Sequence, residues 1–139
     1  MKTRIFLLLL CALSLTVSAQ KKKKAKLTDF SITQTKSIQK KGTQLFLKKV
    51  ISDARCPEGI DCVWAGEAQA NISIYKNGKW VDETILTFSF KKEEENKKWL
   101  SQQLNIPIAK IKSIRLVPYP KDSIKINPKD YQIKVMLNK

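Results

Sequence analysis

Alternate positions from Cys62 to Ile74 carry two different kinds of side chain. Cys62, Trp64, Ala68, Ala70, Ile72 and Ile74 share one parity, and Glu67, Gln69, Asn71 and Ser73 share the other. A period of two puts the first set on the buried face of a β-strand and the second toward water. Asn77-Gly78 comes next, two residues that tolerate positive φ and so close a two-residue hairpin. The returning run, Trp80 to Phe90, sets Leu86, Phe88 and Phe90 on one face. A hairpin that is apolar on one side has to be covered by a second layer, so the remaining chain must supply further strands or helices.

It supplies both. Phe30 and Ile32 alternate with Ser31 and Thr33, and Leu45, Phe46, Leu47, Val50 and Ile51 form a more apolar run after Gly42. Ile111 to Val117 reads as a strand in which Ile114 and Leu116 are out of phase with Ile111, the mark of a bulge. Pro118-Tyr119-Pro120 breaks the chain, after which Tyr131, Ile133, Val135 and Leu137 alternate with Gln132, Lys134 and Met136. Between Lys91 and Leu104 the period changes. Glu93 with Lys97 and Glu94 with Lys98 are i, i+4 pairs in the favoured orientation, and Trp99, Leu100 and Leu104 make a narrow apolar stripe. That segment predicts one helix of about three turns ending before Pro107. The whole pattern is mainly β. It predicts a small antiparallel β-sandwich or partly open barrel of six or seven strands with one short helix, in a single domain over residues 28–139.

Lys2 and Arg4 precede an apolar run from Ile5 to Leu13 that continues to Val17, and Val17-Ser18-Ala19 is a small-x-small exit of the kind signal peptidase accepts. Residues 1–19 therefore read as a cleavable signal peptide, too short for a membrane span, which needs roughly 20 apolar residues. Cys11 sits mid-run behind Leu10, where a lipoprotein pattern requires a small residue, so no lipid anchor is expected there. Residues 20–27 (QKKKKAKL) form a basic tail with nothing to bury, expected to be disordered. Lys21 to Lys24 directly after the cut resist translocation, the one feature that opposes export. The expected location is exported, either periplasmic or secreted.

Removing Lys2 and Arg4 lowers the formal charge from +15 to +13. That balance predicts attraction to anionic envelope polymers or acidic lipid through lysines, and export makes nucleic acid the poorest of the anionic partners, so none is expected. Scattered lysine suits weak, salt-sensitive adhesion better than bidentate phosphate recognition, which favours arginine. The chain holds no histidine. That excludes Ser-His-Asp and Cys-His catalysis and histidine-ligated zinc or copper, and no catalytic residue, metal or cofactor is expected. Cys56 and Cys62 remain after the cut, and an even count in an exported chain reads as a disulfide.

The most distinctive stretch runs from Asp53 to Glu67, DARCPEGIDCVWAGE. Its pattern D-x-R-C-P-x(4)-C-x-W-x-G resembles a group of small secreted proteins and lipoproteins, mostly bacterial. The hairpin, the Val117-Pro118-Tyr119-Pro120 stretch and the terminal Tyr131 strand extend the resemblance over most of residues 28–139. The resemblance implies a fold and an exported location, and no reaction. Asp53, Arg55, Pro57, Trp64, Gly66 and Glu67 are read as structural parts of this motif. A Cys56–Cys62 bridge would close a tight loop that Pro57 and Gly59 help to turn. Trp64 is expected to lie buried over the bridge, with Gly66 leaving room for a bulky neighbour such as that indole. The C-x(5)-C spacing entering a strand lacks the C-x-x-C pattern and helix N-terminus of a redox pair. Cys62 also stands where a phosphatase loop needs arginine.

Asp53, Glu58, Asp61 and Glu67 face only Arg55 in this stretch. Arg55 is expected to pair with one carboxylate and the others to be solvated; a cationic partner or a hard cation held through oxygens is the alternative. Three functions follow. The leading one is a non-enzymatic envelope or secreted binding module. The second is an inhibitor of another enzyme, a protein partner, presenting the disulfide loop 53–62. The third is a hydrolase working on carboxylates such as Asp53, Glu58 and Asp61. They part on whether Trp64 and the acidic residues line a concave pocket or stand on a projecting loop.

Overall fold

A computed structural model describes residues 28–35 and 37–138. The expected signal peptide (1–19), Cys11 and the basic tail (20–27) lie outside the described residues. Among the described residues are strands β1 (Phe30–Ile32), β2 (Thr43–Asp53), β3 (Ala68–Lys76), β4 (Lys79–Phe88), β5 (Ile111–Val117) and β6 (Gln132–Leu137), with one helix, α1 (Glu93–Leu104), between β4 and β5. The strands form two antiparallel sheets of three, ordered β1-β6-β5 and β2-β3-β4. The mainly β sandwich expected from the alternation is what the chain forms, with six strands and no closed barrel.

The predicted hairpin supplies the centre. Ala68, Ala70, Ile72 and Ile74 of β3 are buried, opposite Phe88 and Leu86 of β4 and Val50, Leu47 and Leu45 of β2. They pack with Ile32, Ile111, Ile114, Leu116, Ile133, Val135 and Leu137 of the other sheet. On one side the sheets are joined by the Leu47 amide donating to the Thr33 carbonyl (3.0 Å). On the other, α1 lies against β5, β4 and β2 and inserts the fully buried Leu100.

Bulges decide where the alternation holds. Two register shifts in β2, between Leu47 and Lys49 and between Val50 and Ser52, keep Val50 inward and leave Ile51 exposed, so the apolar run does not extend to Ile51. The shift expected in β5 falls between Ile111 and Ser113. The return strand stops at Phe88, two residues short of expectation. Ser89 is extended and opens a 3-10 turn over Phe90–Lys92, which rotates Phe90 out of the core face. The helix proper starts at Glu93, with Glu93, Glu94 and Glu95 in its first turn complementing the helix dipole, and ends on Asn105 in the left-handed region. Lys97 pairs with Glu94 (2.8 Å) and Glu93 (3.7 Å), so Glu94 does not pair with Lys98.

Candidate functional site

Asp53 closes β2 directly opposite Ala68, the first residue of β3, so the motif is the excursion between two strands already in register. The pairing carries on past the strand ends. The Ala54 amide donates to the Glu67 carbonyl and the Cys56 amide to the Ala65 carbonyl, each at 2.9 Å. Gly66 sits inside this ladder at φ +67°, where a Cβ would stand 1.9 Å from the Ala54 carbonyl oxygen. Gly66 therefore makes room for backbone and not for an indole.

Arg55 is the buried fastener of the motif. Its Nε and Nη2 donate to the two carboxylate oxygens of Asp53 (2.7 and 2.6 Å). Its Nη1 donates to the Leu116 carbonyl (2.7 Å) and its Nη2 also to the Pro118 carbonyl (3.0 Å). Its guanidinium lies 4.8 Å from the centre of the Tyr119 ring. The Tyr131 hydroxyl donates to Asp53 Oδ2 (2.9 Å). Burial alone would push the Asp53 carboxyl up, but the hydrogen bonds and charge of Arg55, joined by Tyr131, outweigh it and hold the group below the ordinary carboxylate value. Burial, then the hydrogen bond to Asp53 and its charge, push the Tyr131 hydroxyl up to about 12. The expected pairing of Arg55 with a carboxylate is met by Asp53.

The Cys56 and Cys62 sulfurs stand at disulfide distance, 2.12 Å, with Cα atoms 6.0 Å apart. The loop they close is also held from outside: the Glu58 amide donates to the Pro120 carbonyl (2.9 Å) and the Asp122 amide to the Glu58 carbonyl (3.4 Å). Pro57 starts the turn, its carbonyl accepting the Ile60 amide (3.3 Å). The remaining carboxylates are not gathered. Glu58 approaches Lys121 only at 3.9 Å with both side chains exposed, and Asp61 and Glu67 are exposed. Among the described residues no group of three or more His, Cys, Asp or Glu could hold a metal ion. Asp53 itself is engaged by Arg55 and Tyr131.

Trp64 overturns its expectation. It is 78% exposed, beside a fully exposed Val63 (105%), and does not cover the disulfide. The positive φ at Gly66 breaks the alternation, so the facing of β3, which begins at Ala68, does not extend back to Trp64 or Cys62. Phe90, expected on the core face by its parity with Leu86 and Phe88, is instead 91% exposed. The signal that marks it is Ser89, a helix-opening residue just ahead of the change of period. Phe90 lines two open grooves. One, of ≈ 420 Å³, is also lined by Tyr119, Phe88, Leu116, Glu93 and Arg115. The other, of ≈ 560 Å³, is also lined by Trp64, Glu67 and Lys91. Exposed apolar side chains on a braced loop, flanked by shallow grooves, are suited to contact with another molecule. Comparison of the chain with protein-family models, with curated proteins and with solved structures finds no match to any of them.

Proposed function

We propose that this chain is an exported, non-enzymatic binding module whose contact surface, called here the ridge, is formed by the exposed side chains of Val63, Trp64 and Phe90. The observation that carries the reading is the contrast between these exposed side chains and the frame behind them, in which Gly66, Arg55 and the Glu58–Pro120 contact fix the backbone. A large aromatic group on a backbone that is already ordered loses little entropy when it binds, which is how a few residues come to dominate an interface. The mixed charges around the grooves, Glu67 and Glu93 against Lys91 and Arg115, favour a protein partner over a polyanion at this end. Inhibition of another enzyme is the second reading, favoured by the full exposure of Val63 within the disulfide-adjacent loop.

Affinity capture from the envelope of the producing cell tests the proposal, with the Trp64→Ser and Phe90→Ser variants run beside the native chain. A partner retained in 0.5 M salt and lost with either variant, while melting is unchanged, is the expected result. Capture indifferent to both substitutions would remove the ridge from the argument.

A further inference from the structure

At the end of β3 and β4 away from the motif, the chain gathers lysines instead of carboxylates. The Asn77-Gly78 turn joins the strands with φ of 52° and 80°, and Lys76 stands directly opposite Lys79 across it. Residues 37–42 lie on this turn. The Asn77 amide donates to the Gly42 carbonyl (2.9 Å), the Gly42 amide donates to Asn77 Oδ1 (3.1 Å), and the Lys40 Cα lies 3.7 Å from where a Gly78 Cβ would be. Lys40, Lys41, Lys76 and Lys79 are therefore exposed on one tip. None of the four is ion-paired with a described residue. The carboxylate on the tip is Asp82, whose Oδ1 accepts the Glu83 amide (2.8 Å); Glu83 itself is held by Lys48 at 2.7 Å. Among these lysines Trp80 is 57% exposed, and Ile38 and Val81 are exposed too.

Like charges facing each other across a strand pair weaken it, and an exposed indole with two aliphatic neighbours gains nothing from water. Both features become favourable against one kind of surface. We infer that this tip docks on an acidic phospholipid bilayer, the lysines meeting headgroup phosphates while Trp80 sits at headgroup depth with Ile38 and Val81. A soluble polyanion would engage the lysines and leave the three apolar side chains in water, which is the reason to choose the bilayer. The inference is independent of what the Trp64–Phe90 ridge binds.

Vesicles of phosphatidylcholine, with and without one quarter phosphatidylglycerol, test it by co-sedimentation with the exported chain, freed of residues 1–19. Binding is expected only to the acidic vesicles and is lost in 0.5 M salt. Each lysine near such a surface is worth roughly fivefold in partition, so the Lys76→Gln/Lys79→Gln double variant should bind about 25-fold more weakly. A blue shift of tryptophan emission on binding should survive Trp64→Phe and disappear in Trp80→Phe, with the melting temperatures of these variants unchanged. Equal binding to neutral vesicles, or a double variant that binds like the native chain, would overturn the inference. So would a shift that follows Trp64, or equally tight binding to soluble poly(glycerol phosphate).

Discussion

Arg55 ties the end of β2 to the Leu116–Pro118 stretch, and each of its contacts gives a buried polar atom its partner. Arg55→Ala would leave the Asp53 carboxylate buried with only the Tyr131 hydroxyl and the backbone amide of residue 55, a loss of about 3–5 kcal/mol that threatens folding in a domain of this size. The pH dependence separates charge from packing. Because the Asp53 carboxyl is held below its ordinary value of 3.8, its stabilisation is fully present above that value and is lost as pH falls through the lower folded value. The urea-midpoint gap between native chain and Asp53→Asn should thus stay constant from about pH 5 to 8 and shrink below about pH 4. Tyr131 runs the opposite way. Its stabilising bond is complete below 10.0 and is lost as pH climbs toward about 12, so the gap to Tyr131→Phe should close over that range. A gap to either variant that ignored pH would mean the contact is steric.

The excursion from Asp53 to Ala68 is braced several times over, which sets what its disulfide contributes. A bridge closing so short a loop is worth about 2 kcal/mol. The Glu58–Pro120 and Cys56–Ala65 backbone bonds do not depend on it. Cys56→Ala with Cys62→Ala should therefore lower stability by about that amount and leave the fold intact, which a urea melt beside intact-mass measurement with and without reductant would check. Gly66→Ala should cost more, because nothing can relieve a Cβ set against the Ala54 carbonyl. These same elements show how far the sequence could be read. The hairpin, the final strand and the helix were legible because a buried face imposes a period that local residues obey. The reading failed where the facing is reset locally: Gly66 ahead of Ala68 hid the exposure of Trp64, the 3-10 turn that Ser89 announces was read as strand and so hid that of Phe90, and two bulges hid that of Ile51. The local charge balance anticipated a partner for Arg55, but the contribution of Tyr131, 78 positions away from Asp53, leaves no local trace.

On the scale of the molecule the ridge and the lysine tip lie at opposite ends of β3 and β4, nine or ten residues apart along each strand. At about 3.3 Å per residue that is close to 30 Å, too far for the two surfaces to share one contact. Substitutions at the two ends should then act independently: Trp64→Ser with Phe90→Ser should leave vesicle partition as it was, change stability by less than about 0.5 kcal/mol, and add without coupling to Lys76→Gln. Co-sedimentation of the combined variant decides this. The pairing of β1 with β6 also bears on how the chain is made. Phe30 lies opposite Val135, so the first strand finds its neighbour only in the last. A chain emerging N-terminus first can assemble β2, β3 and β4 as it appears, yet Ile32 stays without its partner Ile133 until residues 132–137 have followed, a hundred positions later. Closure of that sheet thus waits on one strand, and a deletion that removes only β6 should strand both neighbours of that strand at once.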